Sequence, residues 1–288
     1  MIIGIDVGRN TVKAVSPKKK IIFKSNVGEW RERKLTEGGD YEVQLNNNKY
    51  FIADLAEESY FSREMATESK IHDETKILFL AAVGLLAKPN ETVQIVTGLP
   101  VYQHIPEVKK ELKELLEGEH KIKVQNKKAG NYTIEEIIIA PESGGAYWDA
   151  LLNSEGKLTN ELLAEKFVRV VDIGSRTINY CAIPQRKYLD RDSGTLNYGV
   201  LELTNAAEHP NPVTCEQFTR RIVADLSKRW LGYRPVTDVI LLAGGGSILL
   251  KEWLKQHFTL AQFLEDPVFS NAEGFYKMGV AKWAATEK

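Results

Sequence analysis

Two aspartates have the sequence context of a phosphate-binding turn, because a glycine follows each of them two positions later. The runs are Asp6-Val7-Gly8 and Asp172-Ile173-Gly174, and both follow stretches rich in β-branched residues. Glycine lets backbone N–H groups approach phosphate oxygens closely, and the turn amides supply donors. Two carboxylates would repel a polyphosphate, whereas a hydrated Mg²⁺ held through water by Asp6 and Asp172 removes that repulsion. The pair therefore predicts a phosphate site with a magnesium ion.

A third glycine-rich run stands at the end of another predicted strand. Gly244-Gly245-Gly246 follows the apolar run at 238–243 and precedes Ser247. A single Asp-x-Gly is weak evidence, because Asp and Gly are common in ordinary turns. Two such turns together with this third run make a far more specific pattern for nucleotide binding.

The segments around the two aspartates resemble each other, which indicates an internal repeat. Residues 2–15 and 168–183 each read as a strand, Asp-x-Gly, a polar turn and a second strand. The repeat predicts two similar lobes, each a mixed α/β sheet with helices on its faces. We expect a first lobe over 1–141, with a small inserted subdomain at about 26–70. The second lobe, over 142–288, ends in a helix that crosses back to the first.

Hydrophobic patterning places the remaining elements around these turns. The helix expected at about 73–88 is apolar almost all round and should be buried. Thr214 and Gln217 read as a capping box that opens a helix ending near Gly232. The other helices are predicted at about 105–116, 141–152, 247–257 and 272–285, and strands at about 41–45, 49–52, 91–97, 121–125, 132–139, 195–204 and 238–243.

Composition excludes several classes of function. The net charge is −1, so there is no overall basic surface and direct nucleic-acid binding is not implied. Two cysteines are too few for a disulfide framework and suggest a reducing compartment. The start of the chain lacks the pattern of a signal peptide, and the apolar window at 77–87 is too short to span a membrane. We expect a cytoplasmic protein without a membrane partner.

With these motifs in order, the sequence resembles the actin superfamily over nearly its whole length, and most of all the bacterial plasmid-segregation actins of the ParM and AlfA kind. The resemblance rests on five motifs: a first phosphate loop at 6–13, a first connecting helix at 141–146, a second phosphate loop at 172–177, an adenosine motif at 242–247, and a second connecting helix at 271–279. It implies an α/β, actin-like two-lobed fold, with two ribonuclease H-like domains around a nucleotide cleft.

The resemblance also implies roles for individual residues. Asp6 and Asp172 would organise Mg²⁺ and water, and Glu142 would position or deprotonate the attacking water. The implied nucleotide contacts are Gly8, Arg9, Asn10, Thr11, Lys13, Gly174, Ser175, Arg176, Thr177, Gly244, Gly245, Gly246, Ser247 and Lys277. Plain structural roles stay open for some of them, since an acidic residue after Pro141 at a predicted helix start is favoured by the helix dipole alone.

Two departures from the family pattern affect what can be transferred. Asn179 stands where many relatives carry an acidic residue, so that contact is not carried over. The segment between the second loop and the adenosine motif, 178–241, is short and contains one predicted helix. We therefore expect the second-lobe insertion, subdomain IIB, to be reduced or absent, as in AlfA-like proteins. The adenine contacts that this subdomain makes in other actin-like proteins are therefore not carried over to this chain.

The function implied is a filament-forming ATPase that segregates plasmid DNA. Subunits would associate head to tail, and a DNA-binding adaptor protein would make the connection to DNA. ATP is the expected nucleotide, with GTP left open and Mg²⁺ as the metal. Two alternatives are a small-molecule kinase of the same superfamily and a nucleotide-binding scaffold for cell shape or division.

Overall fold

The chain folds into two compact units in a computed structural model that describes residues 1–34, 41–64, 69–125, 127–204, 210–230, 232–235, 237–258 and 260–284. The first unit comprises Met1–Leu99, Gln103–Ala140 and Met278–Lys288. The second comprises Pro100–Tyr102 and Pro141–Lys277. Each unit is built on its own sheet.

The first unit is built on a sheet with helices packed against it. Its elements are β1 Ile2–Val7, β2 Thr11–Val15, β3 Lys20–Lys24, β4 Asn26–Glu29, β5 Glu42–Leu45, β6 Asn48–Ile52, β7 Ser62–Glu64, α1 Asp73–Leu86, β8 Thr92–Leu99, α2 Pro106–Leu116, β9 Gly118–Val124 and β10 Gly130–Pro141. The described strands follow the order β3-β2-β1-β8-β10-β9-β5-β6-β4-β7. Strand β1 pairs antiparallel with β2 on one side and parallel with β8 on the other.

The apolar helix α1 lies at the centre of the first core. Residues 77–85 are all buried, which confirms the buried helix predicted at 73–88. Its first turn carries Asp73 and Glu74, where the helix dipole favours negative charge. This helix supports β1 and β2, the hairpin that carries Asp6.

The predicted insertion extends the first sheet. The strands expected at 41–45 and 49–52 are present as β5 and β6. Strand β5 pairs with β9 through Val43↔Val124, so these strands continue the main sheet. Parts of the expected insertion, 35–40 and 65–68, lie outside the described residues.

The second unit is built on a separate sheet. The elements are α3 Gly144–Leu151, α4 Glu161–Ala164, β11 Phe167–Ile173, β12 Ile178–Pro184, β13 Gly194–Leu196, α5 Leu201–Thr204, α6 Pro212–Arg229, β14 Val239–Ala243, α7 Gly245–Leu249, α8 Lys251–His257, β15 Ala261–Phe263 and α9 Ser270–Trp283. The described strands follow the order β13-β12-β11-β14-β15. The central hairpin, β11–β12, matches β1–β2, because β11 is antiparallel to β12 and parallel to β14. The two hairpins confirm the internal repeat.

Two predictions around helix starts were wrong. Pro141 ends β10 instead of opening a helix, and α3 begins at Gly144 after Ser143, whose φ of 70° places it in the left-handed region. Helix α6 begins at Pro212, where the Asn211 side chain accepts the Thr214 amide, so the capping box at Thr214 is not used. In both places the residue directly before the helix, Ser143 or Asn211, is not the residue on which the prediction relied.

Two further predictions merged elements that the structure separates. The strand expected at 195–204 is a short strand, β13, followed by the single-turn helix α5. The helix expected at 247–257 is divided at Leu250 into α7 and α8. Helix α6 ends at Arg229, before the expected end near Gly232. Among the described residues between 178 and 241 there is no separate folded subdomain, as expected for a reduced second insertion.

A buried charge cluster joins three segments of the second unit. Arg169 on β11 is fully buried, and its Nε lies 3.0 Å from Asp238 Oδ2 and its Nη1 3.1 Å from Asp192 Oδ2. Its guanidinium stacks 4.9 Å from the Trp230 ring centroid. A buried ion cluster tolerates the loss of a partner poorly, because an uncompensated charge then remains inside the protein. This cluster should therefore hold β11 against the segment that leads into β14.

We predict that Asp238→Ala lowers the free energy of unfolding by about 3–5 kcal/mol, because Arg169 loses one of its two buried carboxylates. Urea unfolding followed by circular dichroism measures the effect. Asp190→Ala is the matched control, since Asp190 is exposed in the turn next to Asp192. Equal unfolding midpoints for the two variants would contradict this role of the cluster.

Candidate functional site

The predicted first phosphate loop is a tight turn between β1 and β2. The Gly8 amide donates to the Thr11 carbonyl at 3.1 Å, which closes the turn. Asp6 and Lys13 are directly opposite each other in the hairpin, so their side chains share one face of the sheet. Lys13 Nζ lies 3.3 Å from Asp6 Oδ2, and both side chains are largely buried. The loop therefore holds a fixed carboxylate beside a fixed ammonium group.

Ser25 braces this loop, a role that the sequence pattern did not indicate. The Ser25 hydroxyl donates to the Gly8 carbonyl at 2.6 Å, and its amide donates to the Asn10 carbonyl at 2.9 Å. Ser25 is fully buried. These two bonds hold the loop backbone from behind, while Asn10 is exposed and Gly8, Arg9 and Thr11 are partly exposed.

The second phosphate loop has the same closure. The Gly174 amide donates to the Thr177 carbonyl at 3.0 Å, the counterpart of the bond from Gly8 to Thr11. A Cβ at position 8 would lie 2.7 Å from the Thr11 carbonyl oxygen, and one at position 174 would lie 2.8 Å from that of Thr177. No side chain fits at either distance, so both turns require glycine. The two loops repeat each other at the level of single hydrogen bonds.

The segment after β13 braces the second loop. The Val200 amide donates to the Gly174 carbonyl at 3.1 Å, and the Leu201 amide donates to the Ser175 carbonyl at 2.8 Å. Gly199 allows this approach, because a Cβ there would collide with the Ser175 carbonyl oxygen. Ser175, Arg176 and Thr177 are partly exposed. In the second unit, two backbone amides thus brace the loop, as Ser25 braces the loop of the first unit.

Asp172 lies at the end of β11 and is buried, with an exposed fraction of 9%. Asn271 Nδ2 donates to Asp172 Oδ2 at 2.8 Å, and Asn271 Oδ1 accepts the Ala146 amide at 3.2 Å. The other carboxylate oxygen faces Gly244, where a Cβ would lie 2.5 Å from Oδ1. Asn271, on the second connecting helix, was not among the predicted site residues.

The glycine run after β14 packs against Asp172 and Ile173. Gly244 has a φ of +78°, and a side chain at Gly246 would collide with Ile173. Ser247 is buried, and its hydroxyl donates to the Gly244 carbonyl at 2.8 Å, so it closes its own turn. A Cβ at Gly245 would meet no atom within 4 Å. The run therefore presents open backbone at Gly245, where a flat ligand surface can approach.

Glu142 is buried directly after β10. Asn179 Nδ2 donates to Glu142 Oε2 at 2.7 Å, and the Thr195 hydroxyl donates to Asn179 Oδ1 at 2.6 Å. Because Asn179 is directly opposite Asp172 in the β11–β12 pair, it links the regions of both carboxylates. The structure thus brings Glu142, Asp172 and the second loop together within unit 2.

A cysteine lies beneath Glu142. The Ser143 hydroxyl lies 3.0 Å from Cys181 Sγ and also within hydrogen-bond distance of the Glu142 carbonyl oxygen, so its single proton is shared between these two acceptors. Burial raises the pKa of the Cys181 thiol to about 12, so the thiol stays protonated at neutral pH. Cys181 is therefore a packing residue and not a nucleophile.

Lys277 takes part in a different contact. Its Nζ lies 2.6 Å from Asp149 Oδ1 and 2.9 Å from the Asp149 carbonyl oxygen. Lys277 stands six residues after Asn271 on α9, about 9 Å further along the helix axis. Its predicted contact with nucleotide stays a prediction.

His104, which follows β8, and His120, within β9, each donate to a backbone carbonyl group. His104 bonds the Ile139 carbonyl at 3.1 Å, and His120 bonds that of Leu116 at 2.8 Å. Burial lowers the pKa of His120. In the part of the chain that the structure describes, no group of three or more His, Cys, Asp or Glu residues could hold a metal ion, and no helix could cross a membrane.

Comparison with known proteins identifies the domain and the fold. Residues 4–145 match the family model for the N-terminal domain of actin-like proteins. A search of curated protein sequences found no match to this chain. Among solved structures, apo pSK41 ParM has a TM-score of 0.81 and 19% identity, covering 100% of this chain and 99% of that chain.

Two further structures are similar over nearly their whole length. A 15-stranded ParM filament from Clostridium botulinum has a TM-score of 0.75 and 23% identity, covering 96% of this chain and 98% of that chain. Ta0583, an archaeal actin homolog in complex with ADP, has a TM-score of 0.77 and 19% identity, covering 100% of both chains. Residues 4–145 of this protein are therefore an actin-like N-terminal domain, and the chain as a whole has the actin-like fold.

Proposed function

We propose that this protein is a nucleotide-dependent, filament-forming actin-like ATPase that segregates plasmid DNA through a DNA-binding adaptor protein. The observation that carries the proposal is the pair of identical loop closures, Gly8 to Thr11 and Gly174 to Thr177. Each closure forms a tight turn whose glycine lies two residues after a buried aspartate. Turn amides beside fixed carboxylates suit a polyphosphate that carries a divalent cation.

The two aspartates suit a water-held Mg²⁺ better than direct coordination. Asp6 already bonds Lys13, and Asp172 already bonds Asn271. Mg²⁺ keeps several waters and takes few protein ligands, so in each unit a single carboxylate that is already hydrogen-bonded suits contact with the ion through water. When bound, the ion would neutralise phosphate charge. Lys13 adds a positive charge on the same face as Asp6, and we assign it to the phosphates.

Glu142 is our candidate for the residue that positions or deprotonates the attacking water. It is buried in the same unit as the second loop, and its carboxylate is already held on one oxygen by Asn179. A held carboxylate can accept a proton from water with little reorganisation. The glycine run, with its open backbone at Gly245, is assigned to the nucleoside. ATP is the proposed nucleotide, with GTP as the alternative.

Self-association is proposed from the fold neighbours. One of them is a ParM filament, and another is an actin homolog in complex with ADP. A head-to-tail contact that does not close generates a helical filament.

We propose a DNA-binding adaptor protein because the net charge of −1 gives this chain no general affinity for DNA. Both cysteines are free and buried, which suits the reducing conditions of the cytoplasm.

We predict that Asp172→Ala abolishes nucleotide-dependent assembly and turnover while the fold survives. The substitution removes one carboxylate from a polar site and leaves the hydrophobic core intact. Phosphate release and light scattering after addition of ATP and Mg²⁺ report function, and circular dichroism reports folding. Asp190→Ala, at an exposed position of the same unit, is the control and should behave as the wild type. Normal turnover by a folded Asp172→Ala protein would refute the assignment of Asp172.

We predict that Glu142→Ala still binds ATP and polymerises but hydrolyses ATP roughly 10²–10⁴-fold more slowly, the usual range for loss of general-base assistance. Filaments should persist longer, because the ADP state forms late. Single-turnover phosphate release gives the rate, and a fluorescent ATP analogue gives the affinity. Release of phosphate at the wild-type rate would show that Glu142 does not act on the water.

A further inference from the structure

Three polar residues form a row across the second sheet. Asp172 on β11 is directly opposite Asn179 on β12, and Asn179 is directly opposite Thr195 on β13. Directly opposed residues of antiparallel strands place their side chains on the same face, close enough to interact. Asn179 is 2% exposed, so its amide is held inside the protein. The row therefore forms a rigid set of polar groups on adjacent strands.

The hydrogen bonds along this row have a defined direction. Glu142 Oε2, as a carboxylate oxygen, only accepts, so the amide of Asn179 must present Nδ2 to it at 2.7 Å. Oδ1 of the same amide then faces the Thr195 hydroxyl at 2.6 Å and must accept its proton. The Thr195 hydroxyl thereby fixes the amide in the orientation that points a donor at Glu142.

We propose that Thr195 and Asn179 are positioning residues that hold the Glu142 carboxylate in place for activation of water. This inference rests on the proposed role of Glu142. Glu142 follows the end of a strand and precedes Ser143, so its own segment gives it no regular backbone support. Asn179, in the interior of the paired strand β12, holds the Glu142 carboxylate by a hydrogen bond, and Thr195 on β13 in turn holds Asn179. The Nδ2 donor engages one carboxylate oxygen of Glu142 and so fixes the orientation of the group.

The first test compares two substitutions at Thr195. Thr195→Val keeps the shape but loses the donor, and should lower the single-turnover rate of ATP hydrolysis about 10-fold, because misplaced catalytic groups act slowly. Its affinity for a fluorescent ATP analogue should stay within about 2-fold of the wild type. Thr195→Ser keeps the hydroxyl and should restore most of the rate. The control is Thr219→Val, which removes a buried hydroxyl that bonds only the Cys215 carbonyl within α6.

A double-mutant cycle separates positioning from a general structural effect. In a Glu142→Gln background, Thr195→Val should cause no further loss of rate, because Thr195 and Asn179 act through the Glu142 carboxylate. An equal loss in both backgrounds would overturn the proposal. So would a Thr195→Val protein that hydrolyses ATP as fast as Thr219→Val.

A second readout needs no turnover. In protein labelled with ¹⁵N-asparagine, the Asn179 side-chain amide resonance should shift in Glu142→Gln and again in Thr195→Val, but not in Thr219→Val. An Asn179 resonance that is unchanged in Glu142→Gln would contradict the hydrogen bond from Asn179 to Glu142 and overturn the proposal. A wild-type protein that binds ATP but releases no phosphate would instead contradict the proposed ATPase function. In that case the amide resonance still tests whether Thr195 and Asn179 hold the Glu142 carboxylate.

Discussion

The candidate site of the second unit is organised around one carboxylate, that of Asp172, which is buried at the end of the central strand β11. A buried charge is costly unless polar partners replace its water. Asn271 supplies one donor, and Gly244 leaves space for the other oxygen, since any side chain there would strike it. The start of α9 and the glycine run after β14 therefore both lie against this one group, while the hydrophobic core of the unit is built from other residues.

The two units use different groups to hold the loop aspartate and to brace the loop backbone. Asp6 is matched by a lysine on the opposite strand, whereas Asp172 is bonded by an amide from a distant helix. Ser25 braces the first loop through its hydroxyl and amide, and the backbone of residues 200 and 201 braces the second. The shared part is the loop closure itself, because the Gly–Thr bond is a property of the turn and not of its surroundings. An internal repeat can therefore keep its turns while its supporting residues diverge.

Local patterns predicted the hairpins, the buried helix α1 and the three glycine-rich turns, because each depends on residues close together in the chain. The predicted helix start at Pro141 was wrong, because a proline can end a strand as well as open a helix. Helix α3 begins after Ser143, which adopts a left-handed conformation. The contacts that fix the carboxylates were not predictable. Asn271 and Asp172 are 99 residues apart, and Asn179 and Glu142 are 37 apart, so their hydrogen bonds leave no periodic signal. A departure from the family motif at Asn179 was the one visible hint, and the structure gives that residue a bonded partner.

The proposed function requires that nucleotide turnover and filament assembly are coupled in this chain. Light scattering and phosphate release recorded together, after ATP and Mg²⁺ are added to the purified protein, test this coupling. We expect scattering to rise first, phosphate release to follow with a delay, and scattering to fall once the ATP is consumed. Phosphate release without any rise in scattering, over a range of protein concentrations, would contradict it.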